Sequence, residues 1–280
     1  MSPVTAPSRA ELRLWWTQAL AVARLERRRL LDPFAAAWLY LLALLPAAII
    51  AVHALYDGRH TPRGESLLLA GLFQFYYLRL ALFFGCLGVF TRLIRGELLE
   101  RTLHYHFLAP LRREIVAAGK FLGGVACVGL VFGGGLLIAF LLGGAHGGPE
   151  LRAAAWSAHR LRELGAYELI VVLAVVGFGA VFLLMGLLFR NPAVPGLVFF
   201  GWESLSGVLP SWLQRLSVTF YLKPLLPMEL PESGPSALFS VVAEPVPAPV
   251  AVAGLLCFAF LVVAATCRSI RRMEINYATD

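Results

Sequence analysis

Residues 95–120 read RGELLERTLHYHFLAPLRREIVAAGK, and the rest of the chain is organised around this stretch. It is the one long polar segment in the first half of the sequence, with long apolar runs on both sides. Leu98, Leu99, Leu103, Phe107 and Leu108 recur at three- and four-residue steps, the period of an amphipathic helix of about three turns. Pro110 ends that helix, because proline has no N–H to continue the backbone ladder. Leu111-Arg112-Arg113-Glu114 restarts the chain, and Ile115 onward is apolar. A short helix with one charged face between two membrane spans is shaped to touch another protein, or else to anchor a loop at the membrane surface.

A bilayer core of about 30 Å needs about 20 apolar residues in a helix. Six runs qualify, at 34–56, 67–91, 115–143, 167–189, 193–213 and 248–267. The expected fold is therefore an all-α membrane protein of six transmembrane helices, its membrane domain covering 34–280. Composition agrees: 59% of the 280 residues are hydrophobic and mean hydropathy is +0.75, against about 45–50% apolar in ordinary soluble domains. Net charge is +7, and of 24 basic residues only Lys120 and Lys223 are lysines. These charges flank the apolar runs and form no patch, which argues against nucleic acid and for membrane sorting.

Sixteen basic residues fall in the N-terminal segment, the 92–120 loop, the hairpin at Arg190 and the tail after Cys267, against seven in the three other loops. The positive-inside rule then puts both termini and the 95–120 stretch in the cytoplasm of a multi-pass protein of the cell inner membrane. Phe34 opens the first apolar run, too late and too long for a signal peptide.

Residues 1–33 read as a polar tail and an interfacial elbow helix from Arg9 to Leu31. Leu12, Trp16, Leu20 and Ala23 share one stripe, with Arg13, Arg24, Arg27 and Arg28 largely elsewhere; Trp15 and Trp16 suit the headgroup zone. In the third span Gly119 and Gly123, then Gly129 and Gly133, are GxxxG pairs that let helices approach closely. Residues 209–249 carry eight prolines among apolar patches, too interrupted to span. They read as an external helical cap or a re-entrant hairpin between spans five and six, since irregular backbone at membrane depth must be buried or meet water.

Two charges fall inside spans, Arg79 in the second and Glu203 in the fifth. Roughly 20 and 18 Å along their helices from the cytoplasmic edge at 1.5 Å per residue, they lie at similar depth, as a pair or as the lining of a cavity. An ionisable group there is costly and functional by default. The cysteines, Cys86, Cys127, Cys257 and Cys267, lie in or at the ends of apolar runs with no paired spacing and read as packed thiols. His104-Tyr105-His106 offers two diverging imidazoles, short of a metal site. Ser204-Leu205-Ser206 beside Glu203 has no GxSxG turn and no paired base. With no GxxxxGK[ST] loop, the chain is not expected to hydrolyse ATP, and no enzyme is expected.

Glu97, Glu100, Thr102, Leu103, Leu108, Pro110, Arg112, Arg113, Gly119 and Lys120 together resemble the acidic turn, threonine-leucine pair, proline, basic residue and glycine-lysine of the ABC-2 (type V) exporter permeases. The glycine that many members carry before the threonine is Arg101 here. The run GWESLSGVLPSWLQRLSVTFYL, residues 201–222, is similar to the glutamate–proline–serine–tyrosine element those permeases carry between spans five and six. The resemblance implies a permease subunit working as half of a dimer with a second permease copy or a homologue. Two copies of a separate ATPase would drive it, holding the ATP and magnesium, with no cofactor in this chain. It makes residues 95–120 a coupling helix, with Glu97, Glu100, Arg101, Thr102, Leu103, His104 and Pro110 against the ATPase. It leaves the cargo open. A membrane scaffold that transports nothing is the alternative.

Overall fold

The computed structural model describes residues 8–34, 36–56, 61–99, 112–145, 149–228, 230 and 246–272. Among them the regular structure is helical throughout, with no strand. Five helices are long and apolar enough to cross a membrane: Ala37–Tyr56, Arg63–Gly96, Arg113–Ala145, Ala158–Leu188 and Ala248–Arg271.

The chain opens with α1 (Arg9–Leu30), whose start is a capping box that the sequence pattern Ser8-x-x-Glu11 encodes. The Glu11 N–H donates to Ser8 Oγ at 3.3 Å and the Ser8 N–H to Glu11 Oε2 at 2.7 Å, so two helix-end donors are satisfied reciprocally. The Ser8 backbone N–H first, and then the Ser8 hydroxyl, hold the Glu11 carboxyl below its usual range. The face α1 turns to the protein differs from the expected stripe. Ala19, Val22 and Glu26 are buried, while Leu12 and Trp16 stay exposed. Small residues win that face because α1 must lie close to another helix.

The first long helix is α2 (Ala37–Tyr56), with Pro46 inside it. The second is compound: α3 (Pro62–Gly71), started by Thr61 Oγ1 accepting from Gly64 N–H at 3.1 Å, then a π-helical segment (Leu72–Ala81), then α4 (Leu82–Leu99). The third, α5 (Arg113–Ala145), is the hub, and α1, α2, α4, α7 and α11 all pack on it. After a short α6 (Pro149–Ala155), α7 (Ala158–Leu188) begins nine residues before the expected fourth span, at an N-cap made by Ser157.

The expected fifth span is where the structure departs furthest from the apolar run. Helix α8 (Ala193–Leu205) has 13 residues, about 20 Å of rise, well short of the hydrocarbon thickness. A 3-10 turn (Ser206–Val208) follows, and Leu209 is extended at φ −79°, ψ 156°. The reason is Pro210: its ring disfavours helical backbone at the residue before it. Beyond it come the short helices α9 (Ser211–Gln214) and α10 (Val218–Leu222) and a 3-10 turn (Lys223–Leu225). The last element is α11 (Ala248–Arg271), packed on α7, α5 and α10.

One GxxxG pair explains how α1 is held. A Cβ on Gly119 would stand 2.7 Å from the Ala19 carbonyl, and one on Gly123 3.0 Å from the Ala23 carbonyl, so both glycines let α1 lie against α5. The second pair splits its roles. Gly129 faces open space, whereas Gly133 leaves room for the Glu168 carboxylate, whose Oε2 would be 2.6 Å from a Cβ there. Aromatic packing joins α4, α7 and α8: the Phe83 ring lies 5.4, 5.0 and 5.1 Å from those of Phe178, Phe182 and Phe200, edge to face.

Candidate functional site

Arg79 stands at the midpoint of the 34-residue apolar helix Arg63–Gly96, within its π-helical segment. Wide helical turns of this kind often mark functional positions, since they re-aim side chains along a span. Two tyrosines just before it tie the segment to α2. Pro46 has no N–H, so the Leu42 carbonyl one turn earlier loses its helical donor. Tyr76 Oη supplies one at 3.0 Å. Tyr77 Oη donates to the Ala43 carbonyl at 2.6 Å, with the Phe132 carbonyl 3.2 Å away. Burying a bare carbonyl in hydrocarbon is costly, and Tyr76 removes that cost beside Pro46.

Arg79 and Glu203 line one cavity of about 40 Å³, with Lys223, Ser204, Thr219 and the rings of Phe83, Phe178 and Phe200 around it. They form no ion pair with each other. Instead the Glu203 carboxylate caps α10: Oε2 accepts from Ser217 Oγ at 2.8 Å and from Thr219 N–H at 3.1 Å, and Oε1 from Val218 N–H at 2.9 Å. Ser217 Oγ in turn accepts from Phe220 N–H at 3.3 Å. The first turn of α10 thus has its free N–H groups met, and a negative charge sits at the positive end of the helix. Glu203 is 8% exposed, and a carboxylate so buried is stable only with such donors. The Arg79 guanidinium lies 5.8 Å from the Phe75 ring centroid and is exposed.

A second polar group closes the end of the bundle where α2 and α5 finish and α3 and α7 begin. Arg160 Nη1 donates to Ser66 Oγ at 2.7 Å and lies 3.0 Å from Glu163 Oε2, its guanidinium 5.2 Å from the Phe140 ring centroid. His53 Nε2 is 3.7 Å from Glu65 Oε1, and His159 Nε2 is 3.2 Å from Glu163 Oε1. Both carboxylates are buried. The apolar runs of the sequence miss this layer because Glu65, Arg160 and Glu163 fall outside them. The N-cap residues Thr61 and Ser157 were the available signal.

At the opposite end, where α4 finishes and α5 starts, contacts gather on the residues from Arg112 onward. Arg112 stacks 4.4 Å from the Trp15 ring centroid, Glu114 Oε1 bonds Arg271 Nε at 2.6 Å, and Lys120 makes a buried ion pair with Glu26. Of the expected coupling residues, Glu97 lies in the last turn of α4; Glu100, Arg101, Thr102, Leu103, His104 and Pro110 lie outside the described residues. All four cysteines are free, with Cys86 and Cys127 buried. The chain matches no family model and no curated protein.

Proposed function

We propose that this chain is the membrane-spanning permease subunit of an ATP-driven exporter of the ABC-2 type. It acts as one half of a dimer and is moved by a separately encoded ATPase docked on the coupling residues between Glu97 and Pro110. The observation that carries this reading is the clamp at the start of α5. Arg112, Glu114 and Lys120 are held by Trp15, Arg271 and Glu26, from α1 and α11. A push on the 95–112 segment is therefore delivered to three helices at once, and α5 carries it into the bundle, since packed helices move as bodies. An anchoring loop would need no such grip.

In this reading α8 and the short elements after it make the fifth crossing, so both termini face the cytoplasm. The Arg79 cavity then lies between the second span and that crossing, on the path of the cargo. The test is recovery of the tagged chain from membranes of its own host, with mass spectrometry of what comes with it. A Walker A ATPase in equimolar amount, lost from Glu100→Lys while membrane insertion is unchanged, is the expected result. An ATPase missing from the unmodified chain, or one that Glu100→Lys leaves in place with unchanged transport, overturns the reading.

A further inference from the structure

We infer that the Arg79 cavity binds the head group of an anionic amphiphile. Taken as a statement about cargo this rests on the exporter reading; as a binding site it stands without it.

Three observations lead there. First, the negative charge in the cavity wall is already used. Both Glu203 oxygens accept from the Ser217 hydroxyl and the Val218 and Thr219 N–H groups, so the carboxylate is turned to α10 and not to the arginine. Second, the Arg79 guanidinium makes no hydrogen bond or ion pair among the described residues. It lies over the face of Phe75, although it stands at the middle of an apolar 34-residue helix. A guanidinium at that depth calls for an anion, and its planar donor fork suits phosphate or carboxylate. Third, Ser204 and Thr219 line the same wall and bring hydroxyl groups to it.

The size and lining of the site set the rest of the ligand. At about 40 Å³ the cavity admits a head group and no more. The walls beside it are Leu78, Phe83, Phe178 and Phe200, and Phe75 beside Arg79 is half exposed. A ligand whose charge reaches Arg79 must leave its remainder against apolar side chains, so that remainder is itself apolar. Sugars and free inorganic anions lack that part, and cations carry the wrong sign.

The test uses the purified full chain in dodecyl maltoside and three probes: dodecyl phosphate, dodecyltrimethylammonium and inorganic phosphate. Dodecyl phosphate is expected to raise Tm in a saturable way. Arg79→Gln should weaken its apparent affinity by about tenfold or more, and Arg79→Lys, which keeps the charge and loses the planar fork, should fall between Arg79→Gln and the unmodified protein. A second measurement needs no variant. Phenylglyoxal modification of Arg79 in the unmodified protein, read by peptide mass, should be blocked by dodecyl phosphate at concentrations where the other two probes do nothing. Equal protection by the cationic probe, or unchanged affinity in Arg79→Gln, overturns the site. Inorganic phosphate acting as strongly as dodecyl phosphate overturns the amphiphile and leaves an adventitious ion only. Binding without an ATPase partner would keep this site and remove the exporter reading; an ATPase partner without binding would do the reverse.

Discussion

Lys120 and Glu26 form a buried ion pair that joins α5 to α1, each side chain exposed by no more than 5%. Their helices can approach so closely because Gly119 and Gly123 flank the lysine on the face where α1 lies. Charge and missing side chains thus act at one crossing. Removing one partner strands the other in a desolvated site, typically at about 3–5 kcal/mol, whereas replacing both with apolar groups of similar shape is close to neutral. Glu26→Leu and Lys120→Met should each lower the unfolding midpoint more than the double variant does. Additive losses, measured by thermal unfolding in detergent, would show that the pair contributes nothing as a pair.

Tyr76 and Pro46 make a second compensating pair. Tyr76→Phe leaves the Leu42 carbonyl without the donor that the proline denied it, at roughly 1–3 kcal/mol for an unmet buried acceptor. In a Pro46→Ala background the new N–H at position 46 can bond Leu42 directly, and Tyr76→Phe should then cost well under about 1 kcal/mol. The same loss in both backgrounds would mean that the hydroxyl serves something other than the carbonyl that Pro46 leaves unmet.

Glu203 is expected to couple to Ser217 and not to Arg79. Glu203→Leu removes the acceptor for three donors at the start of α10. Loss of such a cap costs on the order of 2 kcal/mol. Ser217→Ala should cost less in that variant than in the unmodified protein, the remainder being its own cap on the Phe220 N–H. Arg79→Leu combined with Glu203→Leu should give losses that sum to within about 0.5 kcal/mol. A large favourable coupling between the two charges in that cycle would restore the direct pair and contradict the geometry.

Topology turns on α8. With the native cysteines replaced, single cysteines at Glu100 and Arg272 should label from the cytoplasmic side, and those at Arg59 and Ala154 from the opposite side. Labelling of Glu100 from outside would invert the protein and remove the ATPase from reach. Labelling of Arg272 on the side opposite Glu100 would leave five crossings and contradict the Glu114–Arg271 contact, which sets the start of α5 and the end of α11 at one end of the bundle.

The sequence by itself determined the helices that hydrophobicity pays for. An apolar run of 20 or more residues has one stable form in a bilayer, so α2, α5, α7 and α11 appear close to where the runs predict them. Prolines and caps were legible too, although the apolar count ran straight through Pro210 and so overestimated the fifth span. The second span's π-helical segment could not be read that way. It is accompanied by hydrogen bonds from Tyr76 and Tyr77 to carbonyls 34 residues earlier, and no local pattern encodes a contact at that distance. The partner of a buried charge was equally out of reach. Depth placed Arg79 and Glu203 at one level, yet the carboxylate went to three donors near Ser217, because a helix start presents several N–H groups at once and an arginine had to compete with them. The pairing of Lys120 with Glu26, 94 residues apart in the chain, followed from which glycine face α1 came to lie on, and only the tertiary structure decides that.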